Sequence, residues 1–534
     1  MAPSRLIVLV LVGLPSRALS SSTDVPDYGF PRCYTSFDGY DSAWADSRTH
    51  FEMRPLVGHG RFPYSGATAA ACAETRSILA PLLSLGPHWS PIGLTQYQPA
   101  SQRNALPSSY HGALLVASHG SWNRLPWIGY GVHAYSVDFS SWPYTVSDQS
   151  RLVPPLRSLS DSRRIRPVDL RSSPVDGSLL MTADRDDFAG GERGGGLFRI
   201  VHGSAAGDVV AENVVSTAEI SGAQIGDAAG FELERLADLP CARQMTHSHA
   251  DPTLLYVSTL DLFCPTAAGG SIYVVQLDVS TGRVTRTARI VQGLSSPQGI
   301  DWGNGSLFIA TGTASGATPE EFVATPSGNP TDAGRGNCIL ALDGVDSLAY
   351  AALGGAAPLQ SDDGQVRGIA CGFTTLQSSH YWRTLRLMPS AMRAVVGIGA
   401  DCNWPCTDNP EMSDYQTTLV SVDLQTGDVE IIARGIRNAV GFWFDPNNNL
   451  MFTSFGSDNA AGIPTATSHN NVPDCTVEVL PLNESATPLS GLGPGGPTST
   501  PTSHSAQRTA NSAAHHDISL CVIVVVAALA PGFV

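Results

Sequence analysis

The sequence predicts an all-β protein, a six-bladed β-propeller, and three observations carry that prediction. One short pattern recurs six times, hardly any helical periodicity lies between the copies, and Gly, Asn, Asp and Pro punctuate the chain around them. The pattern is a leading residue, usually a turn former, followed by four or five apolar residues that close on a small polar cluster. Its copies are GALLVASHG from Gly112, GSLLMTADR from Gly177, TLLYVSTLD from Thr253, GSLFIATGT from Gly305, MRAVVGIGA from Met392 and NLMFTSFGS from Asn449. They recur irregularly, roughly 50 to 90 residues apart, which suits four-stranded blades with loop insertions better than a strict solenoid. Radial stacking leaves each sheet only short, protected edges. The polar cluster after each run is then expected at one end of a central channel.

Taken in order, the chain begins with a secretory signal over residues 1–20: Arg5, an apolar run from Leu6 to Leu14, then small residues to Ser20. Secretion permits disulfides. Residues 27–111 are turn-rich and irregular, with Cys33 and Cys72 expected to be bridged across them. The first run leads into His119-Gly-Ser-Trp-Asn-Arg124, and Arg163, Arg164 and Arg166 precede the second. The stretch from Gly190 to Ala229, rich in Gly, Ala and Ser, reads as a linker, with a fresh start at Gly230. His380-Tyr-Trp382-Arg383 leads into the fifth run. Cys402 and Cys406 follow it and read as a small disulfide loop rather than half of a zinc site, since no second pair completes a tetrahedral set. The last run sits in a hairpin, RGIRNAVGFWFDPNNNLMFTSFGSDN from Arg434 to Asn459, whose Arg437-Asn438 pair stands where a strand begins, at a sheet rim.

Asn304 and Asn483 head glycosylation sequons. Residues 483–516 form a Ser/Thr/Pro-rich stalk that cannot bury a core. Residues 517–534 are an apolar tail, either a lipid-anchor signal or a short membrane span. The propeller itself is assigned to residues 21–482. The expected location is extracellular and cell-surface anchored, with the membrane touched through the tail only. A net charge of −16 argues against nucleic acid as a partner. All 31 basic residues are Arg, so position rather than residue type must identify a functional guanidinium.

The motifs Tyr28-Gly-Phe-Pro-Arg-Cys33, Leu85-Gly-Pro-His88, His119-Gly-Ser-Trp-Asn-Arg124, Arg166-Pro-Val168, His380-Tyr-Trp382-Arg383 and Gly435-Ile-Arg-Asn-Ala-Val-Gly-Phe442 together resemble the pyrroloquinoline quinone (PQQ)-dependent sugar dehydrogenases. The branch is that of the glucose/sorbosone and fungal pyranose dehydrogenase propellers. The resemblance covers most of residues 27–201 and 230–480, in the reverse of the family's order, so it implies a circularly permuted ring. It also implies a small-molecule sugar substrate oxidised at its C1 hydroxyl, an external electron acceptor, and PQQ and Ca2+ as cofactors.

By the same resemblance His380 is the general base, a task for which imidazole is suited near neutral pH. Arg437 and Asn438 lie beside the quinone oxygen, with Arg437 stabilising developing charge. Arg124, Arg164 and Arg166 meet the cofactor's carboxylates, which guanidinium forks bind bidentately. Gly456 and Ser457 offer backbone oxygens to calcium. The alternative is a non-catalytic cell-surface binding propeller of the same fold. It rests on Phe-Gly-Ser-Asp replacing the family's usual Asn-Gly-Arg-Asp, and on Asp474-Cys475 replacing an acidic pair.

Overall fold

A strand inside a propeller blade has a neighbouring blade against each of its faces. Burial there calls for a continuous apolar run rather than alternation, and all six runs become the second strands of six antiparallel sheets. Leu179 and Met181 enter one junction core and Leu180 the opposite one. Leu254 and Tyr256 are divided from Leu255 and Val257 in the same manner.

The computed structural model describes residues 25–26, 28, 33–36, 52–55, 81–86, 89–121, 129–140, 142–153, 165–185, 194–202, 214–215, 231–260, 270–312, 337–373, 383–389, 392–400, 416–455 and 475–482. Blade 1 consists of Pro91–Gln96, Leu114–Ser118, Gly131–Asp138 and Thr145–Val153. Blade 2 consists of Pro167–Ser172, Leu179–Arg185, Gly194–His202 and Phe231–Asp238, with Val214–Val215 outside it. Blade 3 runs through Ala242–His247, Leu254–Thr259, Gly270–Leu277 and Val284–Leu294. Blade 4 has Pro297–Gly303, Ser306–Thr311, Cys338–Asp343 and Val366–Cys371. Blade 5 has Leu385–Leu387, Arg393–Ile398, Thr418–Asp423 and Val429–Ala433. Blade 6 takes Ala439–Phe444, Leu450–Ser454 and Cys475–Leu480, and its fourth strand is Leu83–Gly86 from before blade 1.

The first strand of each blade is innermost. These six strands touch in chain order, and Ala439–Phe444 of blade 6 returns to Pro91–Gln96 of blade 1, so the ring is closed. Each blade junction holds its own buried apolar cluster. Hydroxyls that end the apolar runs tie neighbouring blades together. Thr182 donates to the Arg243 carbonyl, Ser258 to that of Gln298 at 2.8 Å, and Thr453 to that of Pro91 at 2.9 Å. Gly441 shows how close the inner strands come: a Cβ there would lie 2.5 Å from the Ile92 carbonyl oxygen.

Two sequence readings are corrected. The stretch 27–111 is not irregular throughout, since it supplies the fourth strand of blade 6 and the inner strand of blade 1. Pro91, like Pro167 and Pro297, opens an inner strand, the position where a missing ladder N–H is tolerated. The Gly190–Ala229 linker also fails, because Gly194–His202 is the third strand of blade 2. A Cβ on Gly195 would lie 1.9 Å from the Ala183 carbonyl oxygen, so that glycine marks a close strand approach.

One α-helix, Val345–Leu353, sits among the described residues and buries Val345, Ala349 and Ala352 in the cluster between blades 3 and 4. Cys338 and Cys371, opposite each other on adjacent strands of blade 4, form a disulfide, and Cys241 is also disulfide-bonded. The expected Cys33–Cys72 and Cys402–Cys406 bridges lie outside the described side chains. Met1–Asn483 forms one compact unit and Glu484–Val534 a second, which lies outside the described residues. No helix among the described residues is long and apolar enough to cross a membrane.

Candidate functional site

All six inner strands begin at one end of the channel, the near mouth, and the second strands of the blades finish there. Four arginines occupy the starts of inner strands: Arg166 just before Pro167, Arg243 as the second residue of Ala242–His247, Arg383 two before Leu385, and Arg437 two before Ala439. None is more than 4% exposed. Among the described residues, the carboxylate paired with this set is Asp184, at the end of blade 2's second strand.

Arg166 is wholly buried. Its Nη1 donates to the carbonyls of His119 at 3.2 Å and Gly120 at 3.1 Å, and to His119 Nδ1 at 3.2 Å. Its Nη2 donates to Tyr130 Oη at 3.0 Å and to the Ser121 carbonyl at 3.4 Å, while the guanidinium lies 4.8 Å from the Tyr130 ring centre. Arg166 thereby fixes the backbone of His119, Gly120 and Ser121. His119 Nε2 donates to both Asp184 oxygens at 2.9 Å, and Arg243 Nη1 reaches Asp184 Oδ2 at the same distance.

Burial pushes the His119 imidazole down to about 4, further than Asp184 can raise it. His119 is therefore neutral at pH 7, a donor at Nε2 and an acceptor at Nδ1. Burial works to raise the Asp184 carboxyl, but His119, Arg243 and Arg166 outweigh it and hold the group well below the usual carboxylate range.

The sequence-predicted pair Arg437-Asn438 is buried at this mouth. The Arg437 carbonyl accepts from Ala400 N at 2.7 Å, and that of Asn438 from Phe455 N at 3.1 Å. The Asn438 side chain is fully buried, and neither its Oδ1 nor its Nδ2 has a hydrogen-bond partner among the described residues. The same holds for Gln298 Nε2. Gln298 Oε1 accepts from Arg383 N at 3.2 Å, which ties blade 4 to the start of blade 5. Arg383 Nη2 donates to the Phe373 carbonyl at 2.6 Å.

Of the sequence-predicted site residues, the structure brings Arg166, Arg437 and Asn438 to one mouth. Arg124, Arg164, His380, Gly456 and Ser457 lie outside the described residues. Among the described residues no group of three or more His, Cys, Asp or Glu is arranged to hold a metal ion. Sequence reasoning missed Arg243, Gln298 and the His119–Asp184 pair, and it quoted Arg383 without a role. A signal was present, because Arg166, Arg243, Arg383 and Arg437 each stand about a dozen residues ahead of their blade's second strand.

Residues 9–189, less than half of the chain, match the family described as TrAA12-like. An uncharacterized protein of Borreliella burgdorferi is 30% identical over 141 residues, covering 26% of this chain and 34% of that protein. This chain thus spans about a third of that relative's length. Among solved structures, a Trichoderma reesei enzyme of Carbohydrate-Active Enzymes family AA12 is 14% identical, covering 72% of this chain and 94% of its own, with a TM-score of 0.36. The PQQ domain of a Coprinopsis cinerea pyranose dehydrogenase is 12% identical over 74% of this chain and 94% of its own, with a TM-score of 0.35. Regucalcin, a calcium-binding protein of Agrobacterium tumefaciens, is 14% identical over 74% and 92%, also at 0.35.

Proposed function

We propose that this chain is a sugar oxidoreductase: a PQQ- and calcium-dependent dehydrogenase that oxidises an aldose or pyranose at C1 and hands electrons to an external acceptor. One observation carries the reading. Four buried guanidiniums gather at one mouth of an acidic protein, beside buried amides on Asn438 and Gln298 whose polar atoms have no partner among the described residues. A cationic, hydrogen-bonding rim suits a flat tricarboxylate. The match of residues 9–189 supports the same class.

In this reading Arg437, Asn438, Arg124 and Arg164 hold the cofactor, while Arg166 contributes positive charge and fixes the 119–121 backbone. When bound, PQQ supplies an electrophilic carbonyl carbon able to take up the C1 hydride. His380 removes the proton from the C1 hydroxyl, and Arg437 stabilises negative charge that grows nearby, an effect worth about 10²–10³ in rate for one donor. Gly456 and Ser457 would present hard oxygen to calcium. We further propose the secretory signal, glycosylated stalk and apolar tail as a route to the cell surface.

The test is to incubate the protein with PQQ and calcium and to follow dye reduction with a panel of aldoses. Turnover is expected. His380→Ala should abolish it with PQQ binding nearly intact, whereas Arg437→Ala should harm both. No turnover together with unchanged PQQ fluorescence overturns the reading in favour of a non-catalytic binding propeller.

A further inference from the structure

The opposite end of the channel, the far mouth, is built differently from the near one. A cavity of about 590 Å³ opens there, within the usual size of small-molecule pockets. It is lined by the final residue of all six inner strands: Gln96, Ser172, His247, Gly303, Leu387 and Phe444. It is the axial end of the propeller, not a gap between loops.

Two guanidiniums face it from opposite sides of the ring, Arg171 on blade 2 and Arg386 on blade 5. Arg171 is 6% exposed and its hydrogen bonds among the described residues come from Nη1 alone, to Asp169 Oδ1 at 3.1 Å and the Leu170 carbonyl at 2.8 Å. Arg386 makes no hydrogen bond to any described residue. Its Nη1 is buried 3.5 Å from Asp301 Oδ1, and its guanidinium lies 5.6 Å from the Trp443 ring centre.

Each guanidinium has one carboxylate beside it, Asp169 for Arg171 and Asp301, itself on the cavity wall, for Arg386, and both carboxylates also hold neighbouring blades together. Asp169 Oδ2 accepts from Met245 N at 2.9 Å, sealing blade 2 to blade 3. Asp301 accepts from Thr246 Oγ1 at 3.0 Å, Trp302 N at 3.1 Å and Leu387 N at 2.9 Å, sealing blades 3, 4 and 5. The carboxylates are thus shared with backbone amides and a hydroxyl, while the guanidinium donors of Arg171 other than Nη1, and all those of Arg386, make no hydrogen bond to a described residue. The buried Nε1 of Trp443, on the cavity wall, also has no partner among the described residues.

We propose that this far mouth binds a small dicarboxylate. An opposed pair of guanidiniums suits a ligand with an anionic group at each end, and the indoles of Trp302 and Trp443 wall an apolar body between them. The proposal is independent of the near mouth, and its test needs neither cofactor nor sugar.

Succinate, adipate, acetate and inorganic phosphate are titrated into the full chain at constant ionic strength, read by calorimetry and tryptophan fluorescence. Succinate or adipate should saturate a single site, with acetate weaker by roughly tenfold or more for want of a second charge. Arg386→Gln should weaken the dicarboxylate roughly tenfold or more, since a charge-assisted bidentate contact is lost. Arg171→Gln should do the same, while Arg367→Gln, on the outer surface of blade 4, should change nothing. If Arg171→Gln fails to fold, Arg386→Gln and Trp443→Phe keep the test open, because neither side chain makes a hydrogen bond in the described structure. Absence of saturation, or saturation indifferent to Arg386, overturns the proposal. Tight phosphate binding with none for either dicarboxylate overturns the ligand class.

Discussion

The two mouths of the channel use the same residue type in opposite ways. At the near mouth Arg166 is enclosed and gives its donors to the carbonyls of His119, Gly120 and Ser121 and to Tyr130. At the far mouth Arg386 touches protein through one long ion pair and an indole face. In a chain whose basic residues are all arginine, residue type says nothing about which guanidinium is structural and which is presented to solvent. The acceptors within reach decide it. Backbone carbonyls gathered in a loop turn an arginine into a brace, whereas a carboxylate already shared with two backbone amides and a hydroxyl leaves its arginine's other donors available.

The largest effect should come from removing the brace. Arg166→Ala leaves a set of buried acceptors unmet and should lower stability by about 3–5 kcal/mol, against under about 1 kcal/mol for Arg386→Ala. Urea denaturation of both variants measures the gap, and equal losses would break the contrast.

A buried carboxyl at neither mouth sets a reference. Glu478, on the third strand of blade 6, takes a hydrogen bond from Thr476 Oγ1 at 2.6 Å, and its Oε2 has no partner among the described residues. Burial pushes its carboxyl up to about 8, with Thr476 opposing only weakly. The folded state therefore holds a proton that the unfolded chain releases near 4.5, so stability falls as pH rises between those values. Glu478→Gln should remove that loss and leave the variant more stable at pH 9 by on the order of 3 kcal/mol. A variant that tracks the parent from pH 5 to 9 would show that Glu478 ionises without penalty.

Acid should weaken both mouths. Burial lowers His119 to about 4 at the near mouth; burial, then His249, Arg171 and Arg386, does the same for His247 at the far one. Each contribution is complete above 6.5 and is lost as pH falls toward 4, because the unfolded chain takes up the proton first. His119→Asn and His247→Asn should each flatten the acid limb of a stability–pH curve by about 2 kcal/mol. The smallest effect is the most specific: saturating succinate should raise the His247 pKa by about half a unit, seen by NMR, and leave His119 unmoved.

Much of the fold was legible because burial on both faces of a blade imposes an uninterrupted apolar run, and that signal survives variable loops. All six runs proved to be second strands. Other strands were harder to read, since Pro91 on an inner strand and Gly195 on the third strand of blade 2 look like turn or linker residues until a neighbouring backbone explains them. Of the near mouth, Arg166, Arg437 and Asn438 could be read from their place ahead of a strand. His119 and Asp184 could not, because their meeting depends on the packing of blade 1 against blade 2. The far mouth escaped notice altogether: its residues fall at the ends of strands whose starts had drawn attention, and Arg171 and Arg386 meet only across the ring's full width.

Leu83–Gly86 pairs with Cys475–Leu480, which bears on how the molecule is made. The earliest strand of the ring to leave the ribosome is needed by the last, so blade 6 cannot be completed until Leu480, about nine-tenths of the way along the 534-residue sequence, has been synthesised. Through that interval the waiting segment is an unpaired β edge in a sticky nascent chain, the kind of surface that recruits chaperones or aggregates. Ring closure is thus a late, all-or-nothing event, and synthesis rate should govern yield more than the stability of any one blade.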